Sequence, residues 1–288
     1  MTRLIDDHEI IFDTEYTQAL NDKVRGRFGP NRPRNATHVS DLFFCLKKAY
    51  GKRKALEAGE EEWQPDEETL LTWMGGLQFE ELISEGEKQS VLAYCFKCKA
   101  VSSPQYTPTG EEPAHCVVCG ERHLLMTPDY IVDGVIHEAK QTRKSRRRGV
   151  EAAPWWIEQL RSYVFLFRRA GQSASPYGRL VVNWLMGDYG RKKKGLIPLP
   201  PRAALDAYKV VFKEGFEDEW EGELRRRKDI VEGEEMPPLS WATPDDMDSP
   251  VYDWECSSCP VGLPLGCELY IWDKDGVEIK EEENDNGS

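Results

Sequence analysis

The sequence lacks the long apolar runs and the leading apolar segment that membrane and exported proteins carry. No run of apolar residues approaches the roughly 20 needed to cross a bilayer. The N-terminal residues contain no apolar core of the signal-peptide kind. A GxxxxGK(S/T) phosphate-binding loop is also missing. We therefore expect an intracellular protein, with any ATP-driven motor on a separate chain.

An excess of positive charge is missing as well. The 288 residues include 38 Lys and Arg against 51 Asp and Glu, which gives a net charge of −13. This balance argues against a surface that coats nucleic acid as a whole, but it allows a local basic groove, because several basic residues are clustered. A hydrophobic content of 40% and a charged content of 31% are typical of a soluble globular protein. The length allows one large core plus an inserted or appended module.

Residues 126–141 contain the most informative pattern in the chain. Asp133-Gly134 predicts a two-residue hairpin turn, because a type I′ turn needs two positive φ values. A tight turn there places Asp129 directly opposite Glu138, with Lys140 on the same face as Glu138. Opposed carboxylates repel at a Cβ separation of roughly 5 Å, unless a hard divalent cation such as Mg²⁺ or Mn²⁺ lies between them. The alternative is a solvated polar face on which the lysine offsets the charge.

Four cysteines predict a metal site in the segment 93–123. Two CxxC pairs, separated by seventeen residues of polar, proline-containing sequence, match the spacing of a tetrahedral zinc site in a zinc ribbon. Disulfides are the disfavoured alternative in an intracellular protein. The predicted zinc ligands are Cys95, Cys98, Cys116 and Cys119.

A second thiolate group is predicted from the C-terminal region. Cys256, Cys259 and Cys267 leave a metal site one ligand short, and Cys45 is the cysteine not yet assigned. Such a quartet can hold Zn²⁺ or an iron–sulfur cluster, and the residue types alone leave both open.

Hydrophobic periodicity predicts the elements around these motifs. We expect helices from Ser40 to about Leu56, from about Asp66 past Leu82, from Pro154 to about Arg169 and from about Arg202 to Val231, and a buried strand over 179–186. The basic run RKSRRR at 143–148 directly follows the hairpin, where its guanidinium groups can contact phosphate.

Together these motifs resemble the RecB-like branch of the PD-(D/E)xK nucleases, in particular the iron–sulfur exonucleases associated with CRISPR systems and phages. The resemblance covers residues 37–267, and its motifs occur in the family's order. They are the first cluster cysteine in SDLFFC (40–45), Pro128-Asp129 with Glu138-Ala139-Lys140, Gln159-x3-Tyr163, and the triplet Cys256, Cys259 and Cys267.

The resemblance implies an α/β fold of the restriction-endonuclease kind, with a mixed central sheet flanked by helices. We expect an N-terminal extension at 1–36, a nuclease domain at 37–278 that contains the zinc-ribbon-like insertion, and an acidic disordered tail at 279–288. A 4Fe-4S cluster would join the N-terminal helix to the C-terminal segment. The family also implies the cytoplasm of a prokaryotic or phage-infected cell.

The implied activity is a metal-dependent DNA exonuclease that acts on single strands or DNA ends, in CRISPR adaptation, phage recombination or repair. The resemblance makes Asp129, Glu138 and the Ala139 carbonyl the ligands of Mg²⁺ or Mn²⁺, Lys140 a catalytic residue, and Gln159 and Tyr163 substrate-positioning residues. Implied partners are DNA and either CRISPR integration proteins or a separate helicase or recombinase; the oligomeric state stays open. Predicted DNA contacts are Lys47, Lys48, Arg143, Lys144, Arg146, Arg147 and Arg148.

The chain departs from the family in one metal ligand. Phe79 stands where the family often has a metal-binding histidine, and Glu80 is the candidate replacement. This departure and the acidic net charge motivate an alternative, a catalytically inactive nucleic-acid-binding or adaptor protein with two cysteine metal sites. A third hypothesis is a zinc protein with two four-thiolate sites, in which the hairpin carboxylates are incidental.

Overall fold

The structure is a computed structural model that describes residues 36–59, 67–84, 91–103, 115–143, 149–150, 153–173, 175–185 and 203–237, and residues 18, 22, 146 and 259 individually. These residues form an α/β fold in which helices flank two mixed four-stranded sheets. The predicted α/β class is confirmed, but the strands form two sheets where a single central sheet was expected. No described helix has the length and apolar character needed to cross a bilayer.

Five strands follow one another in the middle of the described part of the chain, and helices lie before and after this run. In chain order the elements are β1 (Thr37–His38), a 3₁₀ turn (Val39–Leu42), α1 (Leu46–Glu57), α2 (Glu67–Ile83), β2 (Leu92–Cys95), β3 (Ala100–Ser102), β4 (Leu124–Met126), β5 (Tyr130–Val132), β6 (Val135–Thr142), α3 (Pro154–Arg169), β7 (Tyr177–Trp184), β8 (Ala204–Val211) and α4 (Phe216–Glu232).

The first sheet has the order β1-β4-β2-β3, with β1 and β4 parallel and the other pairs antiparallel. Strand β2 carries Leu92 and Tyr94 into the main hydrophobic core and ends at Cys95. The predicted zinc-ribbon segment therefore begins on a strand of the core, and its first cysteine is fixed by packing that the ribbon itself does not supply.

The second sheet has the order β5-β6-β7-β8 and lies between two helices. Helix α3 connects the parallel strands β6 and β7 and packs Leu160 and Val164 onto one face, in the main core with Ile136 and Leu180. Helix α2 covers part of the other face, where Phe79 packs with Tyr130 and Val181. Successive residues of β6 thus face different helices, as the twofold periodicity of a strand requires.

The hairpin prediction is confirmed in its turn and in its register. Asp133 and Gly134 have φ values of 51° and 72°, and Val132 pairs with Val135, Ile131 with Ile136 and Tyr130 with His137. The local sequence suffices for this result because only a few residue pairs, such as Asp-Gly, adopt two consecutive positive φ values at low cost.

The predicted helix from Arg202 to Val231 is wrong in its first half. Ala204–Val211 form strand β8, and helix α4 begins only at Phe216, after Gly215 at φ 77°. Even-numbered residues of β8 are half-buried and odd-numbered ones exposed. That twofold alternation is the strand signal, and pairing with β7 along eight residues outweighs any helical preference of the segment.

Two further helix predictions need correction. The helix expected from Ser40 is a 3₁₀ turn followed by α1, which begins at Leu46 with Cys45 as its N-cap. Helix α2 has nearly the predicted bounds; its periodicity predicts a core stripe of Leu70, Met74, Leu77 and Leu82, of which Leu77 and Leu82 are exposed.

A glycine in β7 sets how closely α3 packs on the second sheet. A Cβ atom at Gly178 would lie 2.6 Å from Cδ1 of Leu160 and 3.1 Å from Cγ2 of Val164. Both side chains are buried and have little room to move. We predict that Gly178→Ala lowers the free energy of unfolding by about 1–3 kcal/mol, measured by urea denaturation.

Gly222 provides the matched control because it lies within α4 with no atom near its would-be Cβ. Gly222→Ala should raise the free energy of unfolding by up to about 1 kcal/mol, since alanine has the higher helix propensity. Equal effects of the two substitutions would contradict the packing described for Gly178.

Candidate functional site

The structure brings together Asp129, Glu138 and Lys140, the three residues on which the sequence-based hypothesis depends. The hairpin register sets Asp129 beside β6, where its Oδ2 accepts a hydrogen bond of 2.6 Å from the Ala139 N–H. The Glu138 side chain is fully buried, at 0% exposure, and its Oε1 forms an ion pair with the Lys140 ammonium. Two carboxylates and one ammonium thus share a mostly buried site beneath α3.

Burial dominates the electrostatics of the two acids. Burial, together with the nearby Asp129 carboxylate, raises the pKa of Glu138 to about 8, against the lowering effect of Lys140. Burial likewise raises the pKa of Asp129, against the lowering effects of Lys140 and of the Ala139 N–H. With a pKa of about 8, the Glu138 carboxyl stays mostly protonated at neutral pH unless a further cation compensates for its charge.

The pKa of Lys140 is also raised, but by the neighbouring charges and not by burial. Burial alone would lower its pKa, but the Glu138 and Asp129 carboxylates outweigh that effect and raise it. The Lys140 Nζ donates a hydrogen bond of 3.3 Å to Gln159 Oε1, and the Gln159 Nε2 donates one of 2.8 Å to the Tyr163 hydroxyl. The two predicted positioning residues on α3 therefore form a chain that begins at the lysine.

The carboxylate oxygens of Glu138 are buried and can still bind a ligand. Apart from the Lys140 ion pair, neither of its oxygens accepts a well-directed hydrogen bond from any described residue. An unsatisfied buried carboxylate is unfavourable, and a hard cation with oxygen ligands would satisfy it. The donor set of Asp129 and Glu138 therefore fits Mg²⁺ or Mn²⁺.

Helix α2 brings one more acid toward this site. The Glu80 charge raises the pKa values of both Glu138 and Lys140, so Glu80 lies within electrostatic reach of them. Phe79, which stands at the position of the family's histidine, packs on the opposite face of the sheet with Tyr130 and Val181. The helix approaches β6 closely at Gly75, where a Cβ atom would lie 2.5 Å from Gln141 Nε2.

Four cysteines form a second candidate site that could bind a metal ion. The sulfur atoms of Cys95, Cys98, Cys116 and Cys119 all lie within 4.8 Å of one another. Cys95 Sγ lies 3.4 Å from Cys119 Sγ, and Cys98 Sγ lies 3.9 Å from Cys116 Sγ. Among the described residues, no other group of three or more His, Cys, Asp or Glu side chains is as compact.

Backbone hydrogen bonds favour the thiolate form of one of these cysteines, Cys116. The N–H groups of Val118 and Cys119 donate to the Cys116 sulfur and lower its pKa to about 6, which favours the thiolate that binds metals. The residue after each CxxC pair has a positive φ, 50° at Lys99 and 75° at Gly120. The two pairs therefore have matching turns, although only the second has a glycine at that position.

A buried hydrogen bond ties the cysteine site to α4. The hydroxyl of Tyr94, the residue before Cys95, donates a 2.6 Å bond to Glu221 Oε1. Lys99, just after Cys98, lies 3.6 Å from Glu221 Oε2. This link could not be predicted from sequence patterns, because its partners are more than 120 residues apart.

Two of the four predicted iron–sulfur ligands lie outside the described residues. Cys256 and Cys267 lie in that part of the chain, whereas Cys45 is buried before α1 and Cys259 is half-buried. The cluster stays a prediction. The domain boundaries also stay a prediction. Residues 279–288, and residues 1–35 apart from 18 and 22, lie outside the described part of the chain.

The predicted DNA contacts differ in their availability. Arg143 is exposed, Lys48 is half-buried, and Lys47 is only 7% exposed. Arg146 forms a two-point pair with Asp206 of β8, with N–O distances of 2.6 and 2.7 Å; the segment containing Asp206 was predicted as helix, so this pair was missed. Lys144, Arg147 and Arg148 lie outside the described residues.

Comparison with known proteins gives little further information. No protein-family model matches the chain, and no curated protein matches it. The chain is similar to a solved structure described as the crystal structure of SSO0001, with 15% sequence identity and a TM-score of 0.49, over 90% of this chain and 100% of that one. This likeness assigns neither a family nor a function.

The raised pKa of Glu138 predicts a stability that depends on pH. The buried neutral carboxyl contributes stability that is fully present below pH 4.5, its ordinary pKa, and is lost as the pH rises through about 8. In buffer without divalent cations, the free energy of unfolding should fall between pH 5 and pH 8, by at most roughly 1 kcal/mol per pH unit. Urea denaturation at several pH values measures this slope.

Glu138→Gln should flatten that profile, because an amide does not ionise. The exposed Glu219 of α4 provides the control, and Glu219→Gln should leave the slope unchanged. Parallel profiles for wild type and Glu138→Gln would show that the buried carboxyl is not protonated as described.

Proposed function

We propose that this protein is a divalent-metal-dependent deoxyribonuclease of the RecB-like PD-(D/E)xK kind, acting as an exonuclease on single-stranded DNA or DNA ends. The observation that carries the proposal is the fully buried Glu138 carboxylate, which lies beside Asp129 and Lys140 with no well-directed hydrogen bond from the described residues. In a purely structural ion pair, the buried carboxylate oxygens would accept hydrogen bonds from the protein. An acid that binds a metal needs these oxygens available for the cation.

Asp129 and Glu138 would hold Mg²⁺ or Mn²⁺, together with the Ala139 carbonyl. Glu80 is the candidate third acid, in place of the family's histidine. When bound, such a cation lowers the pKa of water and offsets negative charge on a phosphate. It would also hold both carboxyl groups ionised at neutral pH, where burial otherwise favours their protonated forms.

Lys140 acts as a fixed positive charge in this proposal. Its raised pKa keeps it protonated at neutral pH, so it donates hydrogen bonds and does not serve as a general base. An ammonium in a mostly buried site orients water and stabilises negative charge that develops on the scissile phosphate. Gln159 limits the motion of the lysine by accepting its hydrogen bond, and Tyr163 orients the Gln159 amide.

Substrate approach is supported by Arg143. It follows the end of β6, three residues after Lys140, and its guanidinium is exposed. Its guanidinium suits a backbone phosphate of the substrate. The setting that we propose is CRISPR adaptation, phage recombination or repair, with integration proteins or a separate helicase or recombinase as partners.

A specific observation favours a second candidate, a nucleic-acid-binding or adaptor protein that has lost catalysis. Phe79 is buried against Tyr130 and Val181 and offers no ligand to the site. The carboxylate arrangement would then be an inherited one that binds metal without cleaving DNA.

Substitution of the lysine separates the two candidates. We predict that the wild-type protein degrades end-labelled single-stranded DNA with Mn²⁺ and not without it. Lys140→Ala should lower the cleavage rate at least about 100-fold, the usual cost of removing one preorganised donor, while DNA binding is retained. Gel electrophoresis measures cleavage, and fluorescence anisotropy measures binding.

Lys54→Ala is the matched control, because Lys54 pairs with Glu57 and Glu234 and belongs to neither site. It should cleave as wild type does. Cleavage by Lys140→Ala at the wild-type rate would refute the assignment of the lysine, and metal-independent binding without any cleavage would favour the adaptor.

We also propose that the four-cysteine site of residues 95–119 binds zinc and that Cys45, Cys256, Cys259 and Cys267 bind a 4Fe-4S cluster. Four sulfurs placed tetrahedrally around one zinc, at about 2.3 Å, lie roughly 3.8 Å apart. The Cys95–Cys119 and Cys98–Cys116 sulfur separations, 3.4 and 3.9 Å, are close to that value. An iron–sulfur cube would need its cysteine sulfurs farther apart.

Metal analysis of anaerobically purified protein tests both assignments. Cys98→Ser should remove zinc and lower the melting temperature, since bound metal supplies folding energy, while visible iron–sulfur absorption remains. Cys256→Ser should remove that absorption and leave the zinc. Zinc as the sole metal, unchanged in Cys45→Ala, would contradict the cluster and favour the third hypothesis of two zinc sites.

A further inference from the structure

The outer face of strands β7 and β8 is open in the described part of the chain. Odd-numbered residues of β8 point away from the core, and Leu205 and Val211 are 62% and 63% exposed. Helix α2 covers the neighbouring part of this face through Phe79, on Tyr130 and Val181. The face is opposite to the one on which Lys140 meets Gln159 of α3.

Two cations oppose each other at the centre of this face. Arg179 of β7 pairs directly with Lys209 of β8, and like charges in that arrangement repel. No described carboxylate lies within ion-pair distance of either one. Lys209 instead places its ammonium 4.1 Å from the centre of the Tyr177 ring.

A histidine fixes the guanidinium without neutralising it. His137 Nδ1 lies 2.9 Å from the Val135 carbonyl, which can only accept, so this nitrogen carries the proton. Its Nε2 is then free to accept from Arg179 Nη1 at 3.3 Å. The arginine is thus held in place with its full charge.

The composition of the face matches a nucleic-acid strand more closely than a protein surface. None of the odd-numbered residues of β6, β7 and β8 on this side is acidic, although the chain has a net charge of −13. The two cations suit backbone phosphates, and the flanking Tyr177, Leu205 and Val211 suit unpaired bases. A polyanion would also relieve the repulsion between Arg179 and Lys209.

We propose that this face, defined by Tyr177, Arg179, Leu205, Lys209 and Val211, binds the backbone and bases of single-stranded DNA away from the carboxylate site. It would hold a part of the strand that is not being cut. This proposal is independent of the proposed cleavage activity, because DNA binding at this face requires neither Asp129 nor a divalent cation.

The test is a salt titration of binding. Wild-type protein and Arg179→Gln/Lys209→Gln are titrated with fluorescein-labelled oligothymidylate, without divalent cations, at several concentrations of NaCl. Loss of two phosphate contacts should weaken binding at low salt and reduce the slope of log affinity against log salt by about 1.4 in magnitude. The double variant should keep or raise the melting temperature, since it removes a like-charge pair.

Lys54→Gln/Arg225→Gln is the matched control, with the same change in net charge. Its two cations are paired with Glu57, Glu234 and Asp229, so its binding slope should equal that of wild type. An unchanged slope in Arg179→Gln/Lys209→Gln, or no binding by wild type, would overturn the proposal. So would an altered sedimentation coefficient with unchanged DNA binding, which would identify the face as a contact between copies of the chain.

Discussion

The candidate carboxylate site depends on one unfavourable interaction, the burial of Glu138 beside Asp129. A two-residue turn fixes the strands of the hairpin so that these acids cannot separate, and the main core beneath α3 keeps water from Glu138. Lys140 offsets part of the charge and Gln159 restrains it. The fold thus provides the rigidity, while the compensating positive charge is only partly supplied by the protein. This mismatch is why a cation fits the site.

The two candidate metal sites differ in chemistry as well as in location. Carboxylate oxygens prefer hard cations such as Mg²⁺ and Mn²⁺, whereas thiolates prefer zinc or iron–sulfur clusters. With the metals proposed above, the two sites would not compete for the same ion. The cysteine site is anchored to the core through Tyr94 and Glu221, so it stabilises the sheet that carries β2 without adding a ligand near Glu138.

The features predicted correctly from the sequence are those that a few adjacent residues determine. The Asp133-Gly134 turn, the hairpin register and α3, which begins at Pro154 and is followed by Gly171 at φ 68°, all follow from a few adjacent residues. Strand β8 was missed because its pairing partners in β7 lie 20 to 34 residues earlier, from Trp184 opposite Ala204 to Tyr177 opposite Val211, and this pairing decides its conformation. The Arg146–Asp206 pair depends on that strand, so it could not be predicted either. The division into two sheets is likewise a property of distant contacts.

The close approach of α2 to β6 has a consequence for how the site can evolve. A Cβ atom at Gly75 would lie 2.5 Å from Gln141 Nε2, so a larger residue at this position would displace the Gln141 amide, which accepts a hydrogen bond from Asn183 Nδ2. A substitution at a residue without a functional group would thus change polar contacts on β6 next to Lys140. Divergence would be tolerated on the exposed side of α2 before it reached this glycine.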